Sequence, residues 1–283
     1  MKGKICVVTG ATAGIGNALV KKLACKGATL AVICRDRKKG ERLLDELATL
    51  SHCKDHALIL ADLSSLNDTK KSAVEIMRQF HKVDVLVNNA GVFHTSLCFT
   101  VDHIEMQFAV NVLAPYYLTN LLSPHLKLSS SARVINTSSI SHYFGKMHFD
   151  DLYFTAGYDG FAAYNQAKLA VHLLTTAFAR RVKSSITVNS CSPGRVNTNI
   201  GNTNATGFWK YAWILNKPLL ISVEKGARTP DWLATSPDAS PYNGKYIYKN
   251  RPLRPSRRAG SVIDSERLWK VCAGLTGIDN FTV

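Results

Sequence analysis

Short apolar runs alternate along the chain with longer stretches in which apolar positions recur every three or four residues, a pattern that predicts strands separated by amphipathic helices. Ile5 to Thr9 reads as a strand followed by a helix from about Ile15 to Lys26, and Thr29 to Ile33 as a second strand followed by a helix across Lys38 to Ala48. The rhythm continues through strand-like runs at His56 to Leu60, Val83 to Val87, Arg133 to Asn136 and Thr187 to Ser190. Helical stretches at Thr69 to Phe80, His103 to Leu122 and Phe161 to Val182 separate them. Strands and helices taken in turn imply crossover connections, so the expected fold is α/β: a doubly wound parallel sheet with helices on both faces. Such a sheet places its ligand beyond the carboxyl ends of its strands, which directs attention to the loops that follow them.

The first of these loops, Thr9-Gly10-Ala11-Thr12-Ala13-Gly14-Ile15-Gly16, closes a strand and opens a helix. Three glycines in seven residues exceed what a turn requires, and they let backbone N–H groups and the helix N-terminus approach a pyrophosphate. The spacing G-x-x-x-G-x-G, in this strand-to-helix context, is more specific than a bare glycine triplet. Further signatures follow in order: Asn88-Asn89-Ala90-Gly91 after the fourth strand, Tyr164-x-x-x-Lys168 on a helix, and Ser192-Pro193-Gly194 after the sixth strand. Together these motifs resemble the short-chain dehydrogenase/reductase family over about Lys4 to Thr198. The tail, with Gly244-Lys245-Tyr246, Pro252 and Arg267-Leu268-Trp269, resembles its retinol-dehydrogenase-like branch.

The resemblance implies one Rossmann-type domain over residues 1–283, with a dinucleotide-binding part to about 198, a substrate lid over about 198–224 and a C-terminal segment from about 225. It implies catalytic roles for Asn111, Ser139, Tyr164 and Lys168. A helical spacing of four puts Tyr164 and Lys168 on one face, where an ammonium would lower the phenol's pKa and make it a usable acid or base. Ser139 is chosen over Ser138 and Ser141 by the family pattern alone, and its hydroxyl would hydrogen-bond the substrate oxygen. Asn111 matches the asparagine that holds a proton-relay water against the lysine. The cofactor residues implied are Gly10, Thr12, Ala13, Gly14, Ile15 and Gly16 at the phosphates, and Asp62 and Leu63 at adenine. Asn89, Ala90 and Gly91 would lie beneath the adenosine ribose. Tyr164, Lys168, Pro193, Gly194, Val196 and Thr198 would border the nicotinamide end. The aromatic lid residues Phe208, Trp209 and Trp213 suggest a hydrophobic alcohol or carbonyl substrate, unless they only close the core.

Cofactor choice turns on the end of the second strand, where an acid grips a ribose 2′-OH and an arginine accommodates a 2′-phosphate. In the family's register the acidic position is Cys34, followed by Arg35, Arg37, Lys38 and Lys39, which favours NADP(H) over NAD(H). Asp36 competes, and Ala13 stands where some NADP enzymes of the family carry a basic residue.

The chain has 283 residues, 46% hydrophobic, and a net charge of +15. Ten basic against four acidic residues from Met1 to Leu50, and seven against two from Lys249 to Lys270, carry much of the excess. That charge would attract a polyanion or an anionic membrane, so peripheral membrane contact stays open. Nucleic acid is disfavoured, because no reader motif or stacking platform accompanies the charge. No apolar run approaches the roughly 18 residues of a membrane span, and the N-terminus enters the phosphate-loop strand without a signal peptide. Seven unpaired-looking cysteines then suggest a cytoplasmic or other reducing compartment. His142, His148 and His172 have no metal-ligand spacing, so no metal is expected and they read as structural or surface residues. A homodimer or homotetramer is plausible by resemblance. The alternative reading is a non-catalytic dinucleotide sensor or scaffold on the same fold.

Overall fold

The computed structural model describes residues 1–51, 53, 55–182, 185–196 and 220–279. Six parallel strands are built as expected: β1 (Ile5–Thr9), β2 (Thr29–Cys34), β3 (Ala57–Leu60), β4 (Val85–Asn88), β5 (Ala132–Thr137) and β6 (Ile186–Ser192). The sheet continues through β7 (Tyr246–Tyr248), parallel to β6, and β8 (Arg251–Pro252), which turns back antiparallel. Its order is β3-β2-β1-β4-β5-β6-β7-β8. The chain reverses direction across the sheet between β1 and β4, so the crevice opens beyond Thr9 and Asn88.

Strands β1 to β6 alternate between two cores. Val7, Ile33, Leu86, Val134 and Val188 face one side, packed by α3 (Leu66–Gln79), α5 (Ala114–Leu121) and α7 (Gly160–Arg181). Val8, Val32, Val87, Ile135 and Cys191 face the other, packed by α1 (Gly14–Cys25), α2 (Arg37–Leu50) and α9 (Arg228–Thr235). Burial on both faces explains why these strands read as continuous apolar runs rather than alternating ones. Two short helices, α6 (Ser123–Lys127) and α8 (Val223–Gly226), complete the connections. The last helix, α10 (Val262–Thr276), lies against α5 and α7, with Trp269 edge-on to Tyr116 at 4.9 Å and to Phe178 at 4.8 Å.

The expected single helix from His103 to Leu122 is divided. His103 has a positive φ, Glu105 caps α4 (Met106–Phe108), and a wider π-helical segment, Ala109–Leu113, precedes α5. Pro115 supplies the reason. It has no N–H to donate to the carbonyl four residues back, which belongs to Asn111, and a π turn is one way a helix passes such a point. β7, β8 and α10 were not foreseen either: β7 is three residues long, too short for a periodicity to develop.

Candidate active site

The phosphate loop is made by close backbone approach. Gly10 and Gly14 have φ of +65° and +52°. A Cβ on Gly16 would lie 2.2 Å from the Gly10 carbonyl oxygen and 2.6 Å from Asn89 Nδ2. One on Gly10 would meet Ala90 Cα at 3.0 Å. Asn89 donates through Nδ2 to the carbonyls of Thr9 (3.0 Å) and Gly10 (3.3 Å). Thr9 Oγ1 in turn accepts from the backbone N–H groups of Asn89 and Ala90, both at 2.9 Å. Thr9, which sequence reasoning passed over, thus ties the two loops of the crevice together. A loop with glycine at positions 10, 14 and 16 at the start of α1 suits a dinucleotide pyrophosphate.

At the end of β2, Cys34 is buried and its thiol donates to the Asp36 carbonyl. Asp36 caps α2, its carboxylate accepting from Lys39 N–H at 3.1 Å with Lys39 Nζ at 3.5 Å. Those bonds hold the Asp36 carboxyl below its usual range. Arg35 projects into solvent, with Nη1 3.9 Å from Asp62 Oδ2 across the mouth of β3. Asp62 also accepts from Ser64 N–H, and Leu63 packs partly into the core.

On α7, Lys168 Nζ sits 5.4 Å from the centre of the Tyr164 ring and donates to the Thr137 carbonyl at the end of β5. The expected lowering of the Tyr164 phenol by Lys168 is not what this geometry produces. Burial pushes the phenol up to about 12 and the lysine down to about 8. Each group is driven toward its neutral form because each leaves water, and no bond joins phenol oxygen to ammonium. Phe93 stands edge-on to the Tyr164 ring at 5.6 Å.

Of the three neighbouring serines, Ser138 is buried and its hydroxyl is spent on the Lys168 carbonyl at 2.8 Å. Ser139 is half-buried, caps the 3₁₀ turn Ile140–Tyr143, and donates to Ser141 Oγ at 3.1 Å. Asn111 uses its whole amide on Val92, accepting from the N–H and donating to the carbonyl, both at 2.9 Å. Its side chain fixes the loop after β4, and its own carbonyl is the one Pro115 cannot serve. Beyond β6, Gly194 has a φ of +90° and Val196 is buried against α8, where a Cβ on Gly226 would lie 2.6 Å from Val196 Cγ2. Thr198 and the proposed lid residues Phe208, Trp209 and Trp213 lie outside the described residues.

A buried polar cluster that sequence reasoning missed anchors the start of α7. The Glu105 carboxylate accepts from the N–H groups of Gln107 and Phe108 and from Tyr158 Oη. Gln107 Nε2 donates to Tyr158 Oη at 2.8 Å and to the Gly160 carbonyl at 3.0 Å. Burial raises the Glu105 pKa. A Cβ on Gly160 would fall 2.2 Å from the His94 carbonyl oxygen, so the helix start is pressed onto the loop after β4. His142 and His172 are fully buried, and His148 is exposed. Among the described residues no group of three or more His, Cys, Asp or Glu side chains converges as a metal site, and no helix is long and apolar enough to cross a membrane.

A glycine-rich loop between the first strand and its helix, with a tyrosine and a lysine four apart on α7, is the arrangement expected of an oxidoreductase of the nicotinamide-dinucleotide class. The short chain dehydrogenase family model matches residues 4–207, and the chain belongs to that family. It is 36% identical to human (Homo sapiens) retinol dehydrogenase 13, an alignment covering 98% of this chain and 86% of that protein. Among solved structures it resembles an uncharacterised protein from Mycobacterium Paratuberculosis, with a TM-score of 0.79, 27% identity and 98% and 95% of the two chains covered. It also resembles a 3-ketoacyl-(acyl-carrier-protein) reductase from Brucella melitensis complexed with NADH, with a TM-score of 0.68, 25% identity and 88% and 97% covered. A blue fluorescent protein from a metagenomic library, in complex with NADPH, gives 0.69, 27%, and 88% and 97%. The protein is therefore an NAD(P)-dependent oxidoreductase acting on CH–OH or carbonyl groups, and the sensor or scaffold alternative is not favoured.

Proposed function

We propose that this chain uses NADP(H) to interconvert a hydrophobic alcohol and its aldehyde or ketone, with Tyr164 as the acid and base. The observation that carries this reading is the meeting of Tyr164 and Lys168 on one face of α7 with the end of β5, where Thr137 receives the lysine two residues before Ser139. The dinucleotide, when bound, supplies or accepts the hydride. The residues of the chain handle position and the proton. In the reductive direction Tyr164 Oη gives its proton to the substrate oxygen, which Ser139 Oγ holds by a hydrogen bond. A phenol raised to about 12 is fully protonated at neutral pH and so is in the donor form. Lys168 in its charged form steadies the phenolate left behind, and the Asn111 carbonyl, without its regular helical donor, is free to hold a relay water.

The NADP(H) preference is supported by the division of labour after β2. Asp36 is spent on capping α2, while Arg35 stands exposed at the strand end with the Asp62 carboxylate 3.9 Å away. A guanidinium there suits a 2′-phosphate. The retinol dehydrogenase relatives support a large apolar substrate of the retinoid kind, and Phe208, Trp209 and Trp213 are the residues proposed to cover it.

Tyr164→Phe removes the proton donor and keeps the ring, so turnover should fall by at least ~10²-fold while fluorescence titration still detects NADPH binding. Near-normal turnover in the folded variant would overturn the mechanism. Arg35→Ala removes charge-assisted bonds of about 1.5–3 kcal/mol, so NADPH affinity should drop roughly 10- to 100-fold with NADH affinity little changed. An equal loss for both cofactors would place the ribose beside a different residue.

A further inference from the structure

His142 has no part in the chemistry above, yet it is fully buried, 0% exposed, three residues after Ser139. Its Nδ1 lies 2.7 Å from the Ser139 carbonyl oxygen, which can only accept, so Nδ1 carries the ring proton. Its Nε2 lies 3.3 Å from the backbone nitrogen of Ser256, which can only donate, so Nε2 is the acceptor. Two backbone partners thus select one neutral tautomer, and burial, by lowering the pKa, keeps it neutral. The ring is held between Tyr143 and Tyr246, with centroids at 4.1 and 4.5 Å.

Ser256 belongs to the segment that follows β8. That segment is joined to the 3₁₀ turn twice more, by Tyr143 Oη donating to the Arg254 carbonyl and by Arg258 Nη1 donating to the Gly145 carbonyl at 3.0 Å. Only the His142 link ends on Ser139 itself, where the carbonyl also accepts from the His142 N–H at 3.2 Å. The serine is the cap of a turn four residues long, and such a short turn has little stiffness of its own. We propose that His142 is a positioning residue for Ser139, its imidazole bracing the serine's backbone against the C-terminal segment so that the hydroxyl meets the substrate oxygen. This rests on the role given to Ser139 above.

The test is a double-mutant cycle in the full chain, with kcat and NADPH dissociation constant measured for Ser139→Ala, His142→Phe and the pair. His142→Phe keeps an aromatic ring between the two tyrosines and loses both hydrogen bonds. It should lower kcat about tenfold in the wild-type background, leave NADPH binding unchanged, and lower kcat less than twofold once Ser139 is already alanine. His142→Asn, whose side-chain amide can still donate to the Ser139 carbonyl, should recover most of the lost kcat. Tyr143→Phe cuts a neighbouring link between the same segments and should leave kcat unchanged. Multiplicative losses in the cycle, or an equal loss in Tyr143→Phe, would overturn the proposal and reduce His142 to general support. If Ser139→Ala turns over like wild type, the role of Ser139 itself falls, an outcome distinct from a multiplicative cycle. Should His142→Phe fail to fold, the ¹⁵N shifts of the wild-type imidazole decide: a proton on Nδ1 is required, and a proton on Nε2 would refute the arrangement.

Discussion

At the glycine-rich rim, between β1 and β4, neighbouring segments approach closely, with Gly16 against the Gly10 carbonyl and the Thr9 and Asn89 side chains closing the gap. Across the crevice, the rim that carries Tyr164 and Ser139 is held by buried side chains drawn from far apart in the chain: Glu105 with Tyr158, Asn111 with Val92, and His142 with Ser256. The first construction tolerates no added atom at Gly10 or Gly16, and it joins segments 80 residues apart. The second fails when a partner is removed, since each buried polar group left alone costs about 1–3 kcal/mol. Close approach of chain segments therefore shapes the first rim, whereas buried side-chain hydrogen bonds hold the second.

Gly16→Ala is the most direct way to break the first rim. Its methyl would have to displace the Gly10 backbone on one side and the Asn89 amide on the other, so more than about 3 kcal/mol of stability should be lost in urea unfolding, and NADPH binding with it. Normal binding in Gly16→Ala would mean that the loops are looser than these contacts require. Glu105→Ala should instead break the second rim alone. Removing the acceptor of three donors should cost about 2–3 kcal/mol and lower kcat, while NADPH affinity measured below the unfolding transition stays near wild type. A joint loss of affinity would merge the two regions into one unit.

Acid sharpens the comparison further. His172 accepts or donates at Nδ1 to Ser190 Oγ, and burial, with His142 6.2 Å away, pushes its pKa down from 6.5 to about 3. A base whose folded pKa is depressed is protonated first in the unfolded chain, so its contribution is complete above about pH 6.5 and drains away as the pH falls toward 3. At pH 5 the loss should be about 2 kcal/mol. Thermal unfolding followed from pH 7 to pH 5 should show it, and His172→Asn should flatten the dependence. An unchanged slope in that variant would assign the acid sensitivity to another group.

The strand and helix rhythm, the glycine loop and the Tyr164/Lys168 pair were legible in the chain because each is a requirement on contiguous or evenly spaced positions. Gly10 and Gly16 answer a local demand of the backbone, and helical periodicity alone sets Tyr164 and Lys168 on one face. Other features depended on partners that no local pattern announces. That the Ser138 hydroxyl is spent was decided by the Lys168 carbonyl, thirty residues away. The upward shift of the Tyr164 phenol, opposite to the one expected from its spacing to Lys168, came from burial that only packing creates. The chain by itself determined which backbone could be built. Tertiary structure decided which polar groups would be left without water, and it is the removal of water that sets their charge, their hydrogen-bond partners and their aim.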